Sequence, residues 1–142
     1  MASELKVNKL TGVTTAGSIS VTGEGNSTTT NLQQGLAKAW FIFDQVNSNV
    51  IDDSFNISSV TDRGTGSMYG NFTNSMSSIH YTVMGASSPV SSGSMSNSNS
   101  NRSTISSADT TARLSINVFD VDGTVNLQDE NNQQGLAHGD LA

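Results

Sequence analysis

The sequence contains no cysteine and only one proline, Pro89. Without cysteine there is no disulfide, no thiolate zinc site and no thiol catalysis. Charge is also scarce, because six basic and twelve acidic residues give a net charge of −6. The basic residues are scattered along the chain and form no stripe that could follow a phosphate backbone. Nucleic acid is therefore not an expected partner.

Long hydrophobic runs are missing as well. No apolar run approaches the roughly 20 residues that a membrane span needs, and we expect no membrane insertion. The opening residues MASELKVNKL lack the apolar core of a secretory signal. Only 34% of the 142 residues are hydrophobic, which leaves a thin core for one domain plus an arm. We expect association with further copies to complete that core.

One dense apolar segment, LAKAWFIF at positions 36–43, stands out in a chain that is about half Ser, Thr, Asn and Gly. In an extended strand Phe41 and Phe43 share one face, whereas Trp40 and Ile42 share the other. Both faces must therefore be covered. We expect the opposite sheet to cover one face, and a neighbouring subunit or the N-terminal arm to cover the other.

Further stretches alternate between apolar and polar residues with a period of two, which is typical of half-buried strands. The apolar positions are Phe55, Ile57 and Val60; Met68, Gly70 and Phe72; Ile79, Tyr81 and Val83; and Ala112, Leu114, Ile116 and Val118. This pattern predicts an all-β fold, an antiparallel β-sandwich-like domain over residues 32–127. Residues 1–31 are expected to form an extended β arm, intertwined in a trimer, and residues 128–142 a C-terminal tail with little to pack.

The N-terminal arm contains apolar residues at alternating positions but too few of them for a core of its own. These candidate anchor residues are Leu5, Val7, Leu10, Ile19 and Val21. Short β segments of this kind become ordered when several chains share one narrow core. The arm is therefore expected to be the part that binds other proteins.

Two polar segments are candidate display loops. The first is the turn containing Asp62, Arg63 and Thr65, and the second lies within the low-complexity stretch 86–108. The candidate residues there are Ser94, Asn97, Asn99, Asn101 and Arg102. Both segments either simply connect strands or present hydroxyl and amide groups to a partner. A host surface glycan or protein would be such a partner.

Catalytic and metal-binding patterns are not found. His80 and His138 have no spacing that suits a metal site. The sequence at 120–123, DVDG, resembles the start of a calcium loop but lacks the later ligands, so a hairpin turn is favoured. Asp52 and Asp53 lie among small polar residues, which does not favour a catalytic pair of carboxylates. We predict no enzyme, no cofactor, and no catalytic, cofactor-binding or metal-binding residue.

The five residues QQGLA occur twice, at positions 33–37 and 133–137. Two interpretations stay open for this repeat. It arises by chance in a biased composition, or the two copies share a docking role.

The segment GLAKAWFIFDQ, followed by DSFNISSVTDRGTGSMYGNFTNSM and HYTVMG, resembles a domain of tail-fibre and virion-associated proteins of marine and freshwater tailed phages. The opening SELKVNKLTG is similar to the start of many such proteins. The resemblance covers about residues 35–85. It implies a trimeric virion appendage without catalytic residues, located on the extracellular particle and attached to other virion proteins through the arm.

Two functions are compatible with this resemblance. One is a short trimeric fibre, or tail-fibre-like appendage, that serves attachment or host adhesion. The alternative is a capsid decoration protein that stabilises the head lattice. An arm of about thirty residues reaches at most about 100 Å when fully extended, which is short for a long fibre.

Overall fold

The computed structural model describes residues 4–12, 19–23, 29–47, 49–88, 102–120 and 126–141. Almost all of its regular structure is β, with one helical turn. The elements are β1 (Ser20–Thr22), β2 (Thr29–Asn31), α1 (Leu32–Gly35), β3 (Ala39–Asp44), β4 (Val50–Phe55), β5 (Ile57–Asp62), β6 (Ser67–Phe72), β7 (Thr82–Ser88), β8 (Arg102–Thr110), β9 (Arg113–Asp120), β10 (Asn126–Leu127) and β11 (Asn132–His138). They divide into two compact units, Met1–Leu36 and Ala37–Ala142.

The first unit contains one small antiparallel ladder, in which Val21 of β1 lies opposite Thr30 of β2. Residues 4–12 contain no strand. The backbone N–H of Leu32 donates to the carbonyl of Ile19 at 2.9 Å, which connects α1 to the start of the ladder.

The described residues of the second unit form two antiparallel sheets. One has four strands in the order β4-β3-β11-β7. The other has five strands, in the order β10-β9-β6-β5, with β8 also paired to β9. The prediction of an all-β, antiparallel, sandwich-like fold is confirmed.

The core lies between the two sheets and follows the predicted alternation. Phe41 and Phe43 point inward from β3, and Leu114, Ile116 and Val118 point inward from β9. Each of these side chains is at most 2% exposed. Met68 and Phe72 from β6, together with Met76, Tyr81, Ala39 and Ala137, complete the buried cluster.

Two glycines make room for the Phe41 ring. A Cβ atom added to Gly135, on the neighbouring strand, would lie 2.4 Å from Phe41 Cε1. A Cβ atom added to Gly70, on the opposite sheet, would lie 2.8 Å from the same atom. The ring is therefore held between two positions where only glycine fits.

The expectation of a C-terminal tail with little to pack is wrong for residues 132–138. These residues form β11, which lies between β3 and β7 in the four-stranded sheet. Gln133 and Ala137 of this strand are completely buried. The last strand of the chain thus completes the sandwich.

Three apolar residues predicted to face the core are exposed instead. Phe55 is 51% exposed because it lies on the outer face of its sheet, opposite the half-buried Trp40. Asn56, with φ of 56°, turns the chain from the four-stranded to the five-stranded sheet, so the alternation does not continue from Phe55 to Ile57. Ile79 is 57% exposed and precedes β7, which begins only at Thr82. Ala112 likewise lies in an exposed turn before β9.

Tyr81 is 8% exposed and joins the core to the β8–β9 turn. Its hydroxyl lies 2.8 Å from the carbonyl oxygen of Thr110 and 2.5 Å from that of Arg113. The ring meets Phe72 edge-on with centroids 5.7 Å apart. Burial raises the pKa of the Tyr81 hydroxyl, because the charged phenolate is disfavoured away from water.

We expect Tyr81→Phe to lower the free energy of unfolding at neutral pH by about 1 kcal/mol, because the hydroxyl contacts are lost. Because the pKa of the Tyr81 hydroxyl is raised in the folded state, the protonated hydroxyl stabilises the fold fully below its unfolded-state pKa of about 10. This contribution is lost as the pH rises through the folded-state pKa. The difference between wild type and Tyr81→Phe should therefore shrink above about pH 10. Urea melts from pH 7 to pH 11 measure this difference in the free energy of unfolding. A difference that does not change with pH would contradict a raised pKa for the Tyr81 hydroxyl.

Candidate functional site

The outer face of the four-stranded sheet carries a row of large apolar side chains that crosses all four strands. Phe55 of β4 lies opposite Trp40 of β3, Trp40 opposite Leu136 of β11, and Leu136 opposite Met84 of β7. Directly paired residues point to the same side of a sheet. We call Phe55, Trp40, Leu136 and Met84 the apolar row. With strands about 4.8 Å apart, it extends over about 14 Å.

The apolar row lies beside an open groove. The groove has a volume of about 360 Å³ and is lined by Trp40, Ile42, Met84, Ala86, Gln134 and Leu136, among others. Trp40 and Ile42 are only half-buried, and Met84 is 65% exposed. The sequence prediction that Trp40 and Ile42 face away from Phe41 and Phe43 is confirmed.

Polar residues border the apolar row on one side. Asp53 lies opposite Ile42 in the β3–β4 pair, and Gln134 lies on the other side of Ile42. Strand β4 is an edge of its sheet, and it carries Asp52 next to Asp53. Charges on an edge strand oppose pairing with another strand. The face of this sheet is therefore better suited to association than its β4 edge.

The predicted display turn is fixed to the sandwich by hydrogen bonds. Gln133 Nε2 donates to Gln45 Oε1 at 2.6 Å, and Gln45 Nε2 donates to Asp62 Oδ1 at 2.9 Å. The backbone N–H of Gly66 donates to Asp129 Oδ1 at 2.6 Å. Gly64 and Gly66 both have positive φ, 105° and 63°, which glycine adopts readily. The turn is thus held in one conformation, with Asp62 directed toward Gln45.

All three residues predicted in this turn are exposed. Thr65 lies at its tip. The Arg63 side chain lies over the sheet, and its guanidinium carbon is 4.4 Å from the centroid of the Tyr69 ring. The turn therefore brings Arg63, and not Asp62, to the outer surface of the five-stranded sheet.

The remaining candidate residues are placed as follows. Ser94, Asn97, Asn99 and Asn101 lie outside the described residues. Arg102 begins strand β8, so its assignment to a loop is wrong. The candidate anchor residues Leu5, Val7, Leu10 and Val21 are exposed, and Ile19 is half-buried. All five of these residues belong to unit Met1–Leu36.

The two copies of QQGLA have different structures. In the first copy Gly35 ends helix α1, and no atom lies within 4 Å of the Cβ position built on it. In the second copy Gly135 is in the middle of β11, against Phe41. The same five residues therefore lie in unlike surroundings, and only the second copy contributes to the apolar row, through Leu136.

Among the described residues, no three His, Asp or Glu side chains are grouped so that they could hold a metal ion. No helix in the described part of the chain is long and apolar enough to cross a membrane. Comparisons with protein-family models, curated proteins and solved structures found no match to this chain.

Proposed function

We propose that this chain is a structural subunit of a tailed-phage virion, a short trimeric fibre or tail-fibre-like appendage, in which copies associate through the apolar row. The observation that carries this proposal is the row itself. A contiguous exposed apolar patch on a rigid face is the usual mark of a protein interface. Burying Met84 and Phe55 would remove from water two large side chains that are now more than half exposed.

Other copies of this chain are the partners that best fit the apolar row. The chain is only 34% hydrophobic, and a core that is thin in one copy gains most from association. The acidic residues at the β4 edge disfavour growth by strand addition, which would produce open-ended assemblies. Association through the face leads to a closed oligomer, and the resemblance to phage appendage proteins supports three copies.

The arm has a separate role in the proposal. Leu5, Val7 and Leu10 are exposed and lie in a segment without a strand. They are available to bind other virion proteins. We infer that unit Met1–Leu36 attaches the subunit to the particle, whereas the sandwich associates with its copies.

Deleting residues 2–31 should leave a soluble protein that no longer enters virions, because the exposed anchor side chains are removed. Purified particles from cells that produce the truncated chain would be tested for it by immunoblotting. The control variant Val46→Asp changes an exposed apolar side chain in the turn between β3 and β4. It should enter particles normally. Normal occupancy of the truncated chain would refute the anchoring role.

The position of the full-length chain in the particle distinguishes the proposed function from its alternative. Labelled protein at the tail, seen by electron microscopy, supports an attachment appendage. Label distributed over the head lattice would instead assign the chain to capsid decoration.

A further inference from the structure

Two arginines converge on one tyrosine on the outer face of the five-stranded sheet. Arg63 Cζ lies 4.4 Å from the centroid of the Tyr69 ring, and Arg113 Cζ lies 4.0 Å from it. These distances suit attraction between a cation and the ring. Two of the six basic residues of a chain with net charge −6 therefore meet at a single side chain. We call Arg63, Tyr69 and Arg113 the arginine–tyrosine cluster.

Positive charge at this cluster is only partly balanced. Arg113 Nε donates to Asp109 Oδ2 at 2.5 Å, in an ion pair whose side chains are partly exposed. Within the described part of the chain, Arg63 makes no ion pair. The nearby carboxylate of Asp62 accepts hydrogen bonds through Oδ1 from Gln45 Nε2 and from the Gly64 N–H. The cluster thus places two positive charges at one side chain, and a bound anion would be attracted by both.

Small polar groups surround the cluster. Asn71 Nδ2 donates to Ser59 Oγ at 3.0 Å and to Thr61 Oγ1 at 2.9 Å. Thr61 lies directly opposite Tyr69 across the β5–β6 pair, so these hydroxyls share its face of the sheet. A hydroxyl that accepts one hydrogen bond can still donate its own proton. The surface thus offers two guanidinium groups beside hydroxyls that are suited to a sugar.

We propose that the arginine–tyrosine cluster binds the oxyanion of an anionic saccharide, either a carboxylate or a phosphate group. The planar guanidinium of Arg63 matches such a group with two parallel N–H donors. The Tyr69 ring holds both guanidinium groups over the sheet. The hydroxyls of Ser59 and Thr61 contact the sugar. The biological role of this site, attachment to an acidic host surface, rests on the proposed function, but the binding itself does not.

Titration calorimetry of the full-length protein with oligogalacturonate tests the site. Its methyl-esterified form provides the matched neutral ligand, and a phosphorylated oligosaccharide provides the second oxyanion. We expect wild type to bind at least one charged ligand and to bind the ester at least about tenfold more weakly, the usual effect of losing a charge-assisted hydrogen-bonded pair. Preference for the uronate or for the phosphate identifies which oxyanion the site takes.

Matched substitutions separate the site from general charge effects. Arg63→Gln should weaken binding at least about tenfold. Arg63→Lys keeps the charge but loses the planar donor pair, and it should weaken binding less. Lys6→Gln removes the same charge at an exposed residue that is not a member of the cluster and should change binding less than about twofold. Equal effects of Arg63→Gln and Lys6→Gln would overturn the proposal, as would equal binding of acid and ester.

The oligomeric mass of each sample is measured before titration. A monomeric protein that binds the uronate through Arg63 would refute self-association and keep the saccharide site. A trimer that binds none of the three ligands would refute only the saccharide site.

Discussion

Gly135→Ala should destabilise the sandwich by about 3 kcal/mol, at the upper end of the usual cost of overpacking a core. The added Cβ atom would lie 2.4 Å from Phe41 Cε1, much closer than any van der Waals contact. The same ring atom lies 2.8 Å from the Cβ position of Gly70 in the opposite sheet, so little space is left for the ring to shift in that direction. Phe41 is 1% exposed and lies at the centre of the core, so the strain must be absorbed there.

The repeat supplies a matched control for this substitution. Gly35→Ala makes the same change within the same five residues, but the Cβ position there meets no atom within 4 Å. We expect the free energy of unfolding to change by less than about 0.5 kcal/mol, the usual range for an exposed site. Urea melts of both variants measure the difference, and equal effects would show that Phe41 is not packed against Gly135.

A double substitution tests the cause directly. Phe41→Leu shortens the side chain that the new Cβ atom would meet. If the clash is the cause, Phe41→Leu should cost less stability in the Gly135→Ala background than in wild type, because residues in contact are energetically coupled. Strictly additive effects of the two substitutions on the free energy of unfolding would show that the destabilisation arises within β11 and not from a clash with Phe41.

The alternation in LAKAWFIF was enough to predict the two faces of β3. Phe41 and Phe43 are buried and Trp40 is half-buried, as the period of two requires. A local pattern suffices here because each of residues 40–43 is large and apolar, so both faces of the strand can be read from the sequence. The pattern could not identify the other members of the apolar row, since Met84 and Leu136 are contributed by strands far away in the chain.

Strand β11 was not predicted because its pattern is the reverse of an ordinary core strand. Its inward residues are Gln133, Gly135 and Ala137, whereas the large Leu136 points outward. Small inward residues are needed because the Phe41 ring already fills the space over Gly135. Such complementarity depends on a contact between β3 and β11, which no period within one segment reveals.

The display turn shows a similar limit. Glycines are typical of turns, and Gly64 and Gly66 of this turn both have positive φ. The hydrogen bond from Gly66 to Asp129 spans 63 positions, and the stacking of Arg63 on Tyr69 depends on the β5–β6 register. The sequence therefore located the turn, whereas the direction of its side chains follows from tertiary contacts.

Met84→Asp should abolish self-association, the largest effect that we expect for a surface substitution. Met84 is 65% exposed in the single chain, so the change should leave the fold of each copy intact. In the assembled protein the new carboxylate would lie in the buried apolar row without a partner, where an unpaired charge is strongly disfavoured. Ile79→Asp is the matched control, because Ile79 is 57% exposed and lies outside the row.

The mass of the purified protein at micromolar concentration, measured by light scattering, tests the central claim most directly. We predict three times the mass of one chain for wild type and for Ile79→Asp, and the mass of a single chain for Met84→Asp. All three should give the same far-ultraviolet circular dichroism spectrum of a β protein. A wild-type protein with the mass of one chain, or a Met84→Asp variant that keeps the wild-type mass, would contradict association through the apolar row.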